Sequence, residues 1–331
     1  MGKVTLFDVA ERAGVSYGTV SRALNGRWDV NAETAARVRR VADEMGYQPS
    51  HAAVALARQR TDLIGVVFPA VTAGFYAELL SAISDEALRM GKHILTVVAA
   101  SDDDAREQLL SFATGRRVDS LVVMNLGLDD VFIESIARRG LPLVQLDRPT
   151  TLKGVSSLVI DNAAGMEQLV DHLVAVRRHR HVVVVGGPHG TYDAEERLDA
   201  CRNALLERGI ALSDEDVLPG DFTERAGAAA VASWLKAGRA MPDAWMALND
   251  ATALGVLQAL KEQGIRVPED TAVTGFDDIY TARFVGLTTV EVPLGEIGAA
   301  AVRFAVGERV QGHMRFAPRL VVRETCGRSS A

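Results

Sequence analysis

From residue 63 onward, short and almost wholly apolar runs alternate with longer stretches of helical periodicity, and no other feature constrains the fold as tightly. The runs are "LIGVVF", "HILTVV", "SLVVM" and "PLVQL", then "HVVVV", "AWMAL" and "TAVTG". Between them the spacing predicts helices over 75–90, 103–113, 130–139, 162–176, 193–208, 224–237 and 250–263. A short strand at 217–218 and a last helix over 294–306 complete the pattern. A strand that is apolar on both faces needs cover on both faces, which a parallel sheet flanked by helices supplies. There are strands enough for two such doubly wound lobes. Ligands of sheets of this kind sit outside the strands' carboxyl ends, so a site is expected in the cleft between lobes.

The first sixty residues follow a different rule. Thr5 with Asp8 three residues on forms a capping box before Val9, Ala10 and Ala13, and Gly14 ends that helix. Ser16 caps a second helix, running to about Asn25. Two short helices across a glycine-containing turn make a helix-turn-helix. On the second, Val15, Val20 and Leu24 form a sparse apolar side, leaving Ser16, Tyr17, Thr19, Ser21, Arg22 and Asn25 to face outward. A third helix from about Asn31 offers Val38, Val41, Ala42 and Met45 at helical spacing, the burial the second helix needs. Past Pro49, Ser50 caps an alanine-rich helix over 51–58, too short to be stable alone in water.

Charge separates the same segments. Residues 1–60 hold nine basic against six acidic side chains, a balance of +3, while the remainder carries −10. A basic head on an acidic body points to a polyanion met by the head alone. The N-terminal "MGKVTLFDVAERAG" has neither an apolar signal core nor a small-residue cleavage site, and no apolar run approaches the ~18 residues of a membrane span. A cytoplasmic chain without membrane contact is expected. Cys201 and Cys326 lie far apart without metal-ligand spacing, as two reduced structural thiols would.

The residues do not favour an enzyme. "VVVVGGPHG" contains Pro188 and lacks the full dinucleotide-loop spacing. The seven histidines show no metal spacing, and "RRHRH" is expected to be a charged surface loop. No nucleophile, base and oxyanion set stands out. The sequence implies no catalytic residue, metal or cofactor. The competing reading is a sugar-binding or sugar-modifying α/β protein without a DNA role, and the head is what discriminates against it.

The stretch "VTLFDVAERAGVSYGTVSRALNG" followed by "GYQPSHAAVALARQRTDLIGVVFP" resembles the lactose-repressor (LacI/GalR) family of bacterial transcription regulators. The likeness continues through "VIDNAAG", "GGPHGTYDAEERLDACRNAL", "ALNDATALGVLQAL", "VTGFDD" and "LTTVEVP", nearly the whole chain. It implies a small all-α head over 1–49, a hinge helix and linker over 50–60, and an effector-binding and dimerisation body over 61–331. The body is then two doubly wound parallel-sheet lobes like a periplasmic binding protein. A homodimeric repressor follows, its affinity for palindromic operator DNA controlled by a sugar or related polar effector.

The resemblance assigns Tyr17 and Gly18 to the choice of operator sequence and Arg22 to a base contact, where a guanidinium fork can grip guanine. Thr5, Ser16, Thr19, Ser21 and Asn25 suit phosphate contacts, because short hydroxyl and amide groups reach backbone oxygens. Gly18 departs from the long polar side chain common there, which leaves more of the reading to Tyr17 and Arg22. Leu56 is assigned to a minor-groove step, with Ala53 allowing the paired hinges to approach. At effector positions stand Phe75, Tyr76, Asp147, Arg197, Phe222, Asn249 and Asp277, a set of aromatic faces, carboxylates, amide and guanidinium suited to a hydroxylated ring. Taken singly, Phe75 reads equally as core, Asp147 and Asp277 as caps after strands, and Arg197 as a surface ion pair. Ala73 and Val292 replace an asparagine and a glutamine common in the family.

Overall fold

The computed structural model describes residues 4–24, 30–47, 60–69, 74–115, 117–124, 127–146, 148–308 and 312–327. Asn25, the hinge helix over 51–58 with Ala53 and Leu56, Ala73 and Asp147 lie outside the described residues. The chain divides into two compact units, residues 1–61 and 62–331.

In the first unit, α1 (Leu6–Ala13), α2 (Tyr17–Leu24) and α3 (Ala32–Glu44) pack against one another. The expected capping box is present: Thr5 N donates to Asp8 Oδ2 at 2.7 Å and Asp8 N to Thr5 Oγ1 at 3.4 Å. That bonding holds the Asp8 carboxyl below the usual carboxylate range. Gly14 closes α1 at φ +65°, a left-handed turn that costs glycine nothing. Val9, Ala10 and Ala13 of α1 meet Val20 and Ala23 of α2 and Val38, Val41 and Ala42 of α3 in one buried cluster. Val15, Leu24 and Met45 pack at its margin. The core is small and mostly alanine and valine, so each helix depends on the other two.

The second unit begins with β1 (Leu63–Pro69), α4 (Gly74–Arg89), β2 (His93–Ala99), α5 (Asp102–Gly115), β3 (Ser120–Met124), α6 (Asp130–Ala137), β4 (Leu143–Leu146) and β5 (Val155–Ile160). Next come α7 (Asn162–Asp171), β6 (Val182–Val185), α8 (Tyr192–Glu207), β7 (Val217–Leu218), α9 (Glu224–Lys236), β8 (Ala244–Ala247), α10 (Asp250–Glu262) and β9 (Ala272–Thr274). It ends with α11 (Tyr280–Phe284), β10 (Thr289–Glu291), α12 (Leu294–Ala305), β11 (His313–Phe316) and β12 (Arg319–Val321). Two parallel sheets result, ordered β11-β5-β4-β3-β1-β2 and β7-β6-β8-β9, beside an antiparallel β10–β12 pair. Each sheet is the centre of a lobe. The chain passes between lobes at residues 160–162, 291–294 and 316–319.

Several elements differ from the sequence reading. The helix expected over 162–176 is α-helical only to Asp171 and then opens into a π turn, His172–Val176. Strands β5, β10, β11 and β12 and helix α11 were not anticipated. β5 carries Ser156 and Ser157, and β11 and β12 hold basic residues, so their apolar signal is weak. They are strands because the sheet supplies partners: His313–Phe316 pairs residue by residue with Ser157–Ile160. The "RRHRH" loop is not wholly a surface loop, since Arg178 and Arg180 are exposed while Arg177 and His179 are half-buried.

Burial holds the lobes together. Phe68, Trp245 and Phe276 are fully buried, and each phenylalanine is worth about 1.5–3 kcal/mol relative to exposure. Helices α9 and α10 cross so closely that a Cβ on Gly255 would stand 1.8 Å from the Glu224 carbonyl oxygen. Both cysteines are free and buried, and burial pushes the Cys201 thiol up to about 12. Among the described residues no helix is long and apolar enough to cross a membrane, and no group of three or more His, Cys, Asp or Glu could hold a metal ion.

Candidate functional site

On the head, Tyr17 and Arg22 are exposed, and Gly18, Thr19 and Ser21 are half-exposed along the same helix. Ser16 Oγ accepts from Thr19 N at 3.2 Å and shares a 2.9 Å hydrogen bond with Thr19 Oγ1, so it caps α2 as expected. Thr5 Oγ1 donates to Asp8 Oδ2 at 2.8 Å, which ties that hydroxyl to the start of α1. At Gly18 the backbone leaves room for a side chain. A Cβ there would touch Arg22 NH2 at 3.8 Å, so the guanidinium lies back over this position. On the head one residue was missed: Phe7, 70% exposed, lies tilted against Tyr17 with centroids 4.7 Å apart and planes at 31°. An exposed phenylalanine beside a polar helix face was the available signal.

In the body, a cavity of about 490 Å³ lies between the lobes. From the first lobe it is walled by Pro69 at the end of β1, Phe75 and Tyr76 at the start of α4, the segment from Ala99, which ends β2, to Asp102, and Met124 at the end of β3 with Gly127 beyond it. From the second come Pro188 to Thr191, Asp193 and Arg197, then Asp221 and Phe222, Asn249, and Asp277. All of these lie at or just past the carboxyl ends of strands, or on the helices that follow. Phe75, Tyr76, Arg197, Phe222, Asn249 and Asp277 are thus brought to one cavity.

Arg197 is no surface pair: it is 3% exposed. Its Nε donates to Asn162 Oδ1 at 2.8 Å, and NH1 donates to the Leu248 carbonyl at 2.8 Å and to Asp277 Oδ1 at 3.2 Å. The guanidinium carbon stands 3.9 Å from the Phe276 ring centroid and 5.9 Å from that of Phe222, adding cation–π attraction. Phe75 meets Tyr76 edge-on at 5.5 Å. Phe222 holds a left-handed backbone at φ +63°, which a non-glycine residue keeps only where its surroundings impose it. Asn249 Nδ2 donates to its carbonyl at 3.2 Å, and its ring packs where a Cβ on Gly187 would stand 2.4 Å away. Gly187, just past β6, therefore makes room for an aromatic ring.

Three carboxyls that share this side of the body lie above their ordinary range. Burial pushes Asp277 up to about 7 against the pull of Arg197, with Asp193 adding repulsion. Asp193 is itself raised by burial. Asp250, fully buried, is raised well above the usual range by burial and then by repulsion from Asp277. Asp250 Oδ2 accepts from Ile279 N at 2.9 Å and Oδ1 from Thr289 Oγ1 at 2.5 Å. The sequence reading missed Asp193, Asn162 and Asp250. Asn162 stood in the quoted "VIDNAAG", but nothing in its spacing tells that its amide meets Arg197.

A helix-turn-helix head and a two-lobed body with a polar cleft define a ligand-responsive, DNA-binding transcription regulator. Residues 5–50 match bacterial regulatory proteins of the lacI family, and residues 170–326 match the periplasmic binding protein-like domain. The transcriptional regulator DegA of Bacillus subtilis is 30% identical over 335 residues, covering 98% of each chain. The lac repressor dimer bound to operator and the anti-inducer ONPF superposes with a TM-score of 0.85 at 27% identity, over 99% of this chain and 100% of that one. The complex of the regulator CelR with cellobiose gives 0.72 at 30% identity, over 98% and 100%. The chain belongs to the lacI family of bacterial transcription regulators.

Proposed function

We propose that this chain is a homodimeric, cytoplasmic repressor without enzymatic activity. Its head, residues 1–49, binds palindromic operator DNA, residues 50–60 link head to body, and the body, residues 61–331, answers an effector. The effector is a sugar or related polyhydroxylated metabolite held between the lobes. The observation that carries this reading is the cavity itself: a buried guanidinium, an amide and carboxylates converge beside the Phe75, Tyr76 and Phe222 rings. Aromatic faces cover the C–H surface of a sugar ring while the polar groups take its hydroxyls. The CelR relative has been captured with cellobiose, in keeping with that chemistry.

In the head, Tyr17 and Arg22 read bases, and Thr19, Ser21 and Asn25 position phosphates. The capping bonds of Thr5 and Ser16 set the helix starts through which these hydroxyls would meet the backbone. Self-association is supported by exposed apolar surface. Tyr280 and Phe284, 64% and 72% exposed, stack edge-on at 5.0 Å, with Val285 beside them. Leu95 and Val98 are exposed on β2, an edge strand. Surface of this kind marks a contact face.

The test joins both halves. An operator is first selected from random DNA, and mono- and disaccharides and polyols are screened by thermal shift. A ligand at 100-fold its dissociation constant stabilises by about 2.7 kcal/mol. That ligand should change operator affinity in the wild type and leave it unchanged in Arg197→Ala. An Arg197→Ala protein that answers with full sensitivity overturns the cleft assignment.

A further inference from the structure

Asn162 occupies the point where the chain leaves β5 and enters α7, the first of the three passages between lobes. It is fully buried, and every polar group of its amide is used. Nδ2 donates to Asp193 Oδ1 and to Glu196 Oε2, both at 2.7 Å, and Oδ1 accepts from Arg197 Nε at 2.8 Å. All three partners lie on the first turns of α8, in the second lobe. Only an amide serves here, because an alanine bonds none of them and a carboxylate would repel two.

The same helix is tied to the other two passages. Glu196 Oε1 accepts from Arg315 NH1 at 3.3 Å and from the Tyr192 hydroxyl at 2.9 Å. Arg315 belongs to β11, which pairs with β5 just before the third passage, and its NH1 lies 3.6 Å from Asp161 Oδ1. Arg197 reaches the remaining passage through Asp277, whose backbone N donates to the Val290 carbonyl and whose carbonyl accepts from Val292 N. One end of α8 thus holds all three connections, and Asn162 is the group that joins the guanidinium in the cleft to the first of them.

We propose that Asn162 is the positioning residue of the cleft: it orients Arg197 toward the ligand space and sets the angle at which α8 hangs on the passages between lobes. What binds at Arg197 then acts on the lobe angle through this amide. The last step rests on the reading of the cleft as the effector site.

The experiment needs no ligand. Cys201 and Cys326 are buried, so spin labels go to exposed sites introduced by Arg139→Cys in the first lobe and Gln263→Cys in the second. The doubly labelled chain is diluted into unlabelled chain so that only distances within one chain are read. Asn162→Asp keeps the shape and the acceptor to Arg197 but sets a third carboxylate against Asp193 and Glu196. It should shift or broaden the interlobe distance by about 2 Å or more, the scale of helix movements in switching proteins. Arg315→Met, a change at a half-exposed side chain that leaves the core intact, should broaden the same distribution. A merely structural asparagine would lower the melting temperature and leave the distance of the folded protein unchanged. An unchanged distribution in folded Asn162→Asp, or in Arg315→Met, overturns the proposal. Because no ligand is present, that failure is distinct from failure of the cleft reading, which an effector-responsive Arg197→Ala protein would report.

Discussion

Replacing Arg197 by methionine keeps most of the side chain's volume and removes its charge. The loss is set by what the guanidinium leaves behind. Asn162 Oδ1 and the Leu248 carbonyl lose their donors, and Asp277 loses the cation at 3.2 Å. Asp277 titrates at about 7 in the fold against 3.8 unfolded. A carboxyl raised in this way gives stability that is fully present below its unfolded value and is lost as pH rises through its folded value. Arg197 pulls Asp277 down, so without it the carboxyl lies higher still and at pH 8 stays protonated where the wild type has ionised, which adds up to about 1.4 kcal/mol for the one pH unit above 7 to the hydrogen bonds left unmade. At pH 5 Asp277 is neutral in both proteins, and the cost falls to the unmade hydrogen bonds, about 1–3 kcal/mol. With roughly 2–4 °C lost per kcal/mol for a body of this size, the melting temperature should fall by about 5–18 °C at pH 8 and by about 3–6 °C less than that at pH 5. Thermal melts at both pH values, at one fixed protein concentration because self-association moves the midpoint, read this directly. A fall at pH 8 no larger than that at pH 5 would refute the pairing of Arg197 with an ionising Asp277.

Asp250→Asn makes the neutral form of that buried group permanent, and an amide can accept from Ile279 N and donate to Thr289 Oγ1. The variant should match the wild type at pH 5 and be the more stable at pH 9 in urea midpoints; the reverse at pH 9 would count against a neutral Asp250. Gly255→Ala places a Cβ against the Glu224 carbonyl and should force α9 and α10 apart, lowering stability by about 1–3 kcal/mol in the same assay. On the head, Arg22→Ala should relax base preference at one position per half-site in a random DNA selection, for about 1–3 kcal/mol of discrimination lost. Thr19→Ala should weaken all sequences alike, and an unchanged motif in Arg22→Ala would remove that residue from base reading.

Local pattern determined much of this protein. Runs such as "HVVVV" and "AWMAL" carry their own signal, because a strand covered on both faces must be apolar along its length, and the structure buries both. Thr5 with Asp8, Ser16 with Thr19, and Gly14 likewise act within a few residues, so the helix-turn-helix was legible without its tertiary context. The cleft was legible only as a set of residue types at strand ends.

What bonds to what across the cleft depended on residues far apart in sequence. Arg197 meets Asn162 from 35 positions away and Asp277 from 80, and no periodicity encodes such a meeting. The raised carboxyls follow for the same reason: desolvation belongs to the packed lobes, not to the short segment holding Asp250 or Asp277. Strands β5, β11 and β12 were likewise decided by neighbours, since a segment with serines or basic residues becomes a strand only when another strand offers its backbone a partner, and the three-residue β10 is too short to carry a signal without its partner β12.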